Sequence, residues 1–173
     1  YGRVDILFNY VGGIPEGTFF GPFTEQTESY WDQVIELNLK STMRFCRAVL
    51  DSMIKQKYGK IINMAALAGR IGSPNMVLYA SVKGGIITFT KALAQEYSAY
   101  NINVNCVSPG AVDTPGYRQL FGGANRRMLL GGSPQGLSVG GVGNALRGAV
   151  SRKIGRPEDV SSVVLYLASD DAS

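Results

Sequence analysis

Histidine does not occur in this chain of 173 residues. Its absence removes imidazole acid–base catalysis, serine–histidine nucleophile pairs and histidine-ligated metals together. Cysteine is nearly absent as well. Cys46 and Cys106 are the only two; they cannot build a structural zinc site, and no metal is expected. Their apolar surroundings point to buried thiols in a reducing, cytoplasmic compartment ahead of a disulfide or a nucleophile. No run of about 18 apolar residues is present, so no membrane-spanning helix is expected. The opening YGRVDILFNYVGG lacks the charged-then-apolar layout and the cleavage site of a signal peptide. Neither G-x-G-x-x-G nor G-x-x-x-x-G-K-S/T appears, so a phosphate-cradling first turn is not among these residues. Any catalysis has to run on tyrosine, lysine, carboxylates, hydroxyls or a cofactor.

A further absence is local. No acid stands between Asp113 and Glu158, whereas Arg118, Arg126, Arg127, Arg147, Arg152, Lys153 and Arg156 all fall there. The net charge of +4 is therefore unevenly placed. Such a field suits an anionic small molecule or a plain solvated surface. The aromatic interleaving of a nucleic-acid surface is missing, so no nucleic-acid partner is expected. Arg126 and Arg127 are the candidates to meet an anionic substrate.

What is present is a soluble globular balance, 45% hydrophobic and 17% charged, in a chain long enough for one domain over 1–173. VDILFN (4–9) predicts a buried parallel strand ending at a Gly-rich turn. Thr27 is a plausible N-cap for a helix through Trp31, Val34, Ile35 and Leu37, and residues 41–57 continue as an amphipathic helix stopped by Gly59. KIINMA (60–65) is the next strand, a long helix follows over about 77–97, and INVNCVSPG (102–110) is a third strand ended by Pro-Gly. RPEDVSSVVLYLAS opens a last helix with Pro157 and two acids at its N-terminus. This alternation is the rhythm of a parallel α/β sheet. The segment from about 115 to 153 is Gly-rich and aperiodic, and is expected to form a basic lid over the carboxyl ends of the strands. Three strands make a thin sheet with exposed edges. The expectation is the interior of a larger α/β fold: a doubly wound, Rossmann-like parallel sheet truncated at both ends.

Tyr79 and Lys83 stand one helical turn apart. A nearby ammonium favours the phenolate and is expected to bring the tyrosine down toward use as a general acid–base. By itself such a pair also fits an ordinary exposed helix face. The motifs around it carry more. DILFNYVGG, WDQVIELNLKSTM, GKIINMAALAG, YASVK, NVNCVSPGAVDT and GRPEDV occur in this order. Together they resemble the D-x-L-x-N-N-A-G strand end, the Asn-bearing helix, the catalytic-Ser strand, Y-x-x-x-K, N-x-V-x-P-G-x-x-x-T and the late helix turn of the short-chain dehydrogenase/reductase family, over essentially the whole chain.

The resemblance implies a secondary alcohol or ketone substrate, hydride exchange with NAD or NADP, and proton transfer by Tyr79. Lys83 would lower the Tyr79 pKa and bind the nicotinamide ribose, and Asn38 would hold a water linking Lys83 to solvent. Asn9 and Gly12 would line the adenosine side of the cofactor, and Pro109, Gly110 and Thr114 its nicotinamide end. The helices at 41–57 and 77–97 would build a homodimer or homotetramer.

Three departures stand against the family pattern. The family serine, thirteen residues before the tyrosine, is Ala66 here, with Ser73 as a nearby substitute hydroxyl for the substrate carbonyl. The second Asn and the Ala of N-N-A-G are Tyr10 and Val11. The Gly-rich phosphate turn is not in this sequence. Two functional expectations follow: a working oxidoreductase, or a catalytically silent subunit that pairs with an active relative. A binding module without redox history is disfavoured by the ordered motifs.

Overall fold

The computed structural model describes residues 2–15, 21–121 and 154–172. Three apolar, β-branched stretches form the sheet: β1 (Ile6–Asn9), β2 (Gly59–Met64) and β3 (Ile102–Val107). They pair in parallel in the order β1-β2-β3, with Asn9 opposite Asn63 and Met64 opposite Val107. Parallel neighbours need long crossovers, and helices supply them. Between β1 and β2 run α1 (Glu28–Ile35) and α2 (Ser41–Gln56); between β2 and β3 run the single turn α3 (Ala68–Ile71) and α4 (Val77–Tyr97). After β3 come α5 (Pro115–Phe121) and α6 (Pro157–Ala168). No described helix is long and apolar enough to cross a membrane.

Local chemistry accounts for most boundaries. The Thr27 hydroxyl accepts the Tyr30 amide at 3.2 Å and starts α1. The Asp159 carboxylate accepts the Arg156 amide at 2.8 Å and starts α6. Two boundaries differ from the sequence expectation. Helix α2 stops at Gln56 because Lys57 turns left-handed at φ 50°, and Gly59 is instead the first residue of β2. Between α1 and α2 the chain widens into one π-turn, Glu36–Lys40, so the two run on as one continuous helical stretch. The Thr42 and Ser41 hydroxyls donate to the Asn38 carbonyl there, taking up an acceptor the wide turn exposes.

Alternation along β2 assigns the layers. Ile61 packs with Cys46, Leu50 and Met53 of α2 and Leu93 of α4, together with Ile102 and Val104 of β3. Lys60 points the opposite way, and its Nζ donates to the Ser169 carbonyl at 2.6 Å, just past α6. Helices thus cover both faces, as a doubly wound sheet requires. Fully burying each large aliphatic side chain of this core contributes about 1.5–3 kcal/mol.

The α2/α4 layer also encloses a polar cluster. Asn9 Nδ2 donates to Asn63 Oδ1 at 2.8 Å and to Cys46 Sγ at 3.3 Å, and Asn63 Nδ2 donates to Thr90 Oγ1 at 3.0 Å. Both amide nitrogens and the Asn63 oxygen have partners, which offsets the cost of burying them. Farther along, α3 and α4 meet at backbone distance. A Cβ added at Gly69 would lie 2.5 Å from the Lys83 carbonyl carbon and 2.6 Å from the Gly84 nitrogen. This contact seats the connection after β2 directly on the turn of α4 that carries Lys83.

Candidate active site

The carboxyl ends of the strands are tied together before they diverge. Ala65 donates its amide to Val107 and Leu67 to Pro109, both at 2.8 Å. Helix α4 then presents Tyr79 and Lys83 on one face, one turn apart. Lys83 is only 3% exposed. Its Nζ donates to the Met64 carbonyl at 3.2 Å and stands 5.7 Å from the centre of the Tyr79 ring.

A second strand end closes on the same lysine. Gly12 has φ 147°, and a Cβ there would come within 2.8 Å of Asn38 Oδ1 and 3.2 Å of Lys83 Nζ. Only glycine fits such an approach. Asn38 is fully buried and clamps the loop: Oδ1 accepts the Gly13 amide at 2.9 Å, while Nδ2 donates to the Gly13 carbonyl at 2.8 Å. Asn38, Gly12 and Lys83, far apart in sequence, are therefore in contact. Asn9 is not part of this contact, since its side chain is turned into the polar cluster of the core.

Burial governs the charges. It pushes the Tyr79 phenol up to about 12, with the charge of Tyr10 adding to the effect. It pushes the Lys83 ammonium down to about 8. The lowered tyrosine expected from the spacing is not what this arrangement gives. Loss of water around the phenol is the largest cause, and the ammonium is turned to the Met64 carbonyl.

The lysine value has a measurable consequence. The folded chain sheds this proton near pH 8 and the unfolded chain near 10.5. Between those values the unfolded state holds more protons, so Lys83 adds stability as pH rises. Below about pH 7 both states are protonated and the contribution is constant. The unfolding free energy of the wild type minus that of Lys83→Met is expected to be flat there. It should climb by at most about 1.4 kcal/mol per pH unit above pH 8, followed by denaturant titration.

Around Tyr79 opens a cleft of about 990 Å³. Ala66, Ser73, Pro109, Gly110 and Thr114 line it with Tyr79, while Lys83 and Asn38 lie behind. Arg126 and Arg127 fall outside the described residues, as does most of the expected lid. The first part of that lid is helix α5, which opens with Pro115, and the Thr114 hydroxyl accepts the Tyr117 amide at 3.1 Å. A Thr-Pro start was the available signal, masked by the glycines that follow. On the far side of that segment, the Gly155 amide donates to the Ala111 carbonyl at 2.9 Å and the Gly155 carbonyl accepts from the Asp113 amide at 2.8 Å. Sequence reasoning missed Tyr10, Leu67, Met76 and Val160 as lining residues, because only the fold brings these separated stretches to one wall.

Comparison with known proteins gives a consistent result. The family model described as short chain dehydrogenase matches residues 1–123. The chain is 35% identical over 173 residues to the 3-oxoacyl-acyl-carrier-protein reductase FabG of Thermotoga maritima, covering 100% of this chain and 62% of that protein. It is 33% identical over 170 residues to Nodulation protein G of Rhizobium meliloti, covering 98% of this chain and 61% of that one. Among solved structures, NAD+-bound xylitol dehydrogenase superposes with a TM-score of 0.82 at 30% identity, over 99% of this chain and 64% of its own. The chain 4-hydroxyisoleucine dehydrogenase, complexed with NADH, gives 0.74 at 25% identity, over 97% and 62%. This chain spans about three fifths of the length of such relatives.

Proposed function

Because the chain belongs to the short-chain dehydrogenase family, we propose that it works as an NAD(P)-dependent oxidoreductase, interconverting a secondary alcohol and a ketone with Tyr79 as acid–base. The observation that carries this reading is the convergence of Tyr79, Lys83, Gly12 and Asn38 beside one cleft. A phenol held at about 12 is protonated at neutral pH, which suits the reducing direction. Tyr79 gives its proton to the carbonyl oxygen as the carbonyl carbon accepts hydride, and C=O becomes CH–OH. The phenolate left behind is stabilised by the Lys83 ammonium and regains its proton from solvent. A bound reduced nicotinamide supplies the hydride.

The described residues fit the nicotinamide end of that cofactor. Gly12 and Gly13 keep the loop after β1 bare of side chains beside Lys83, and Pro109, Gly110 and Thr114 border the cleft next to Tyr79. Lys83 would hold the ribose hydroxyls, and Asn38 fixes the loop that Gly12 belongs to. The protein is expected to act in the cytoplasm as a homodimer or homotetramer, with Met43 and Phe45 exposed on α2 as contact residues.

Ala66 favours a second reading, a catalytically silent subunit paired with an active relative, because alanine cannot donate to a carbonyl oxygen. Titration of NADH and NADPH, followed by nicotinamide fluorescence, separates the two. Saturable binding with a preference for one cofactor supports the enzyme. A folded protein that binds neither supports the silent subunit.

A further inference from the structure

On the reading of this cleft as a carbonyl-reducing site, we propose that its substrate is an uncharged ketone with an apolar body, not an anion. The cleft that Tyr79 shares is lined by Ala66, Leu67, Ile71 and Met76 from the connection between β2 and α4, and by Val112 and Val160. None of these offers a charge or a hydrogen-bond donor from its side chain. The polar side chains that share the cleft with Tyr79 include Ser73, Ser108 and Thr114, which are neutral hydroxyls.

Among the described residues, the charge that lines the cleft belongs to one ion pair. Arg156 and Asp159 both line it, and they hold each other: the Asp159 carboxylate accepts the Arg156 amide at 2.8 Å and its guanidinium at 3.5 Å. Arg118, the other described cation of the basic stretch, is held by both oxygens of Asp113 at 2.7 and 2.8 Å. Lys83 lies behind the tyrosine with its ammonium on the Met64 carbonyl. Among the described residues that line this cleft, a substrate carboxylate would lose water and meet no cation without an acidic partner, which is unfavourable. An aliphatic chain would lose nothing on the same path and gain the burial of each methylene.

The test compares 2-alkanones of five to nine carbons with 7-oxooctanoate, which carries the same methyl ketone as 2-octanone and a carboxylate at the far end. With the protein and whichever of NADH or NADPH it binds, kcat/KM is expected to rise about four-fold per methylene along the alkanones. It should be at least ten-fold lower for 7-oxooctanoate than for 2-octanone. Calorimetric titration with the same two ligands repeats the comparison without turnover. Preferential binding of 2-octanone with no reduction of either compound supports the substrate class while refuting the catalytic reading. A flat alkanone series, or 7-oxooctanoate equal to 2-octanone, overturns the proposal. So does a preference for 7-oxooctanoate that disappears in Arg126→Glu/Arg127→Glu, which would assign recognition to the basic stretch.

Discussion

An Ala66→Ser variant is expected to reduce a ketone about 10²–10³ times faster than the wild type. Residue 66 follows β2 directly and lines the cleft with Tyr79, and its carbonyl is already anchored by the Gly69 amide at 3.0 Å. A serine hydroxyl at this position would donate to the carbonyl oxygen while negative charge builds there. Donors aimed at developing charge lower the barrier more than they strengthen ground-state binding, so the gain should appear in kcat. One added oxygen at the wall of an open cleft should leave stability within about 0.5 kcal/mol. Steady-state kinetics on both proteins decide the matter. No gain in Ala66→Ser, together with an equal loss in Ser73→Ala, would move the donor role to Ser73. No change in either would show that this wall does not hold the reacting oxygen.

Tyr79→Phe is expected to lower kcat by about 10²–10⁴ with little change in KM. Only the hydroxyl is removed, and the ring keeps its place 5.7 Å from the Lys83 ammonium. The fold should therefore persist, which a thermal melt checks. A loss confined to kcat identifies a group used in the transition state and not in ground-state binding. A variant that keeps wild-type rates would remove Tyr79 from the proton path and return the pair with Lys83 to a structural role.

Much of the fold could be read from the sequence because its signals are local. The cap at Thr27, the apolar spacing of 77–97 and the β-branched runs of β2 and β3 act over a few residues, and the elements formed where they pointed. The π-turn at Glu36–Lys40 had no such signal, since hydroxyls at 41 and 42 are common in plain helices. The stop at Lys57 was hidden because glycine is the usual left-handed residue and one stood two positions later. The same division holds at the site. Tyr79 and Lys83 were legible because one helical turn joins them. The Gly13–Asn38 clamp joins residues 25 positions apart, and the rise of the Tyr79 pKa depends on burial that spacing does not contain.

The pairing of Asn9 with Asn63 has a consequence for how the strands find their alignment. Parallel strands of interchangeable aliphatic residues are ambiguous: a slip of β1 by two residues keeps Leu7 facing the same layer and keeps the ladder of backbone bonds. Hydrophobicity alone cannot tell the two arrangements apart. The amides can, because Asn9 reaches Asn63 only when the two stand opposite, and a slip of β1 would take the Asn9 amide away from its acceptor in the buried cluster. The error would also carry Gly12 about 7 Å along the strand direction, away from Lys83. A pair of side chains that never faces the cleft therefore acts as the address label that brings the loop after β1 to it.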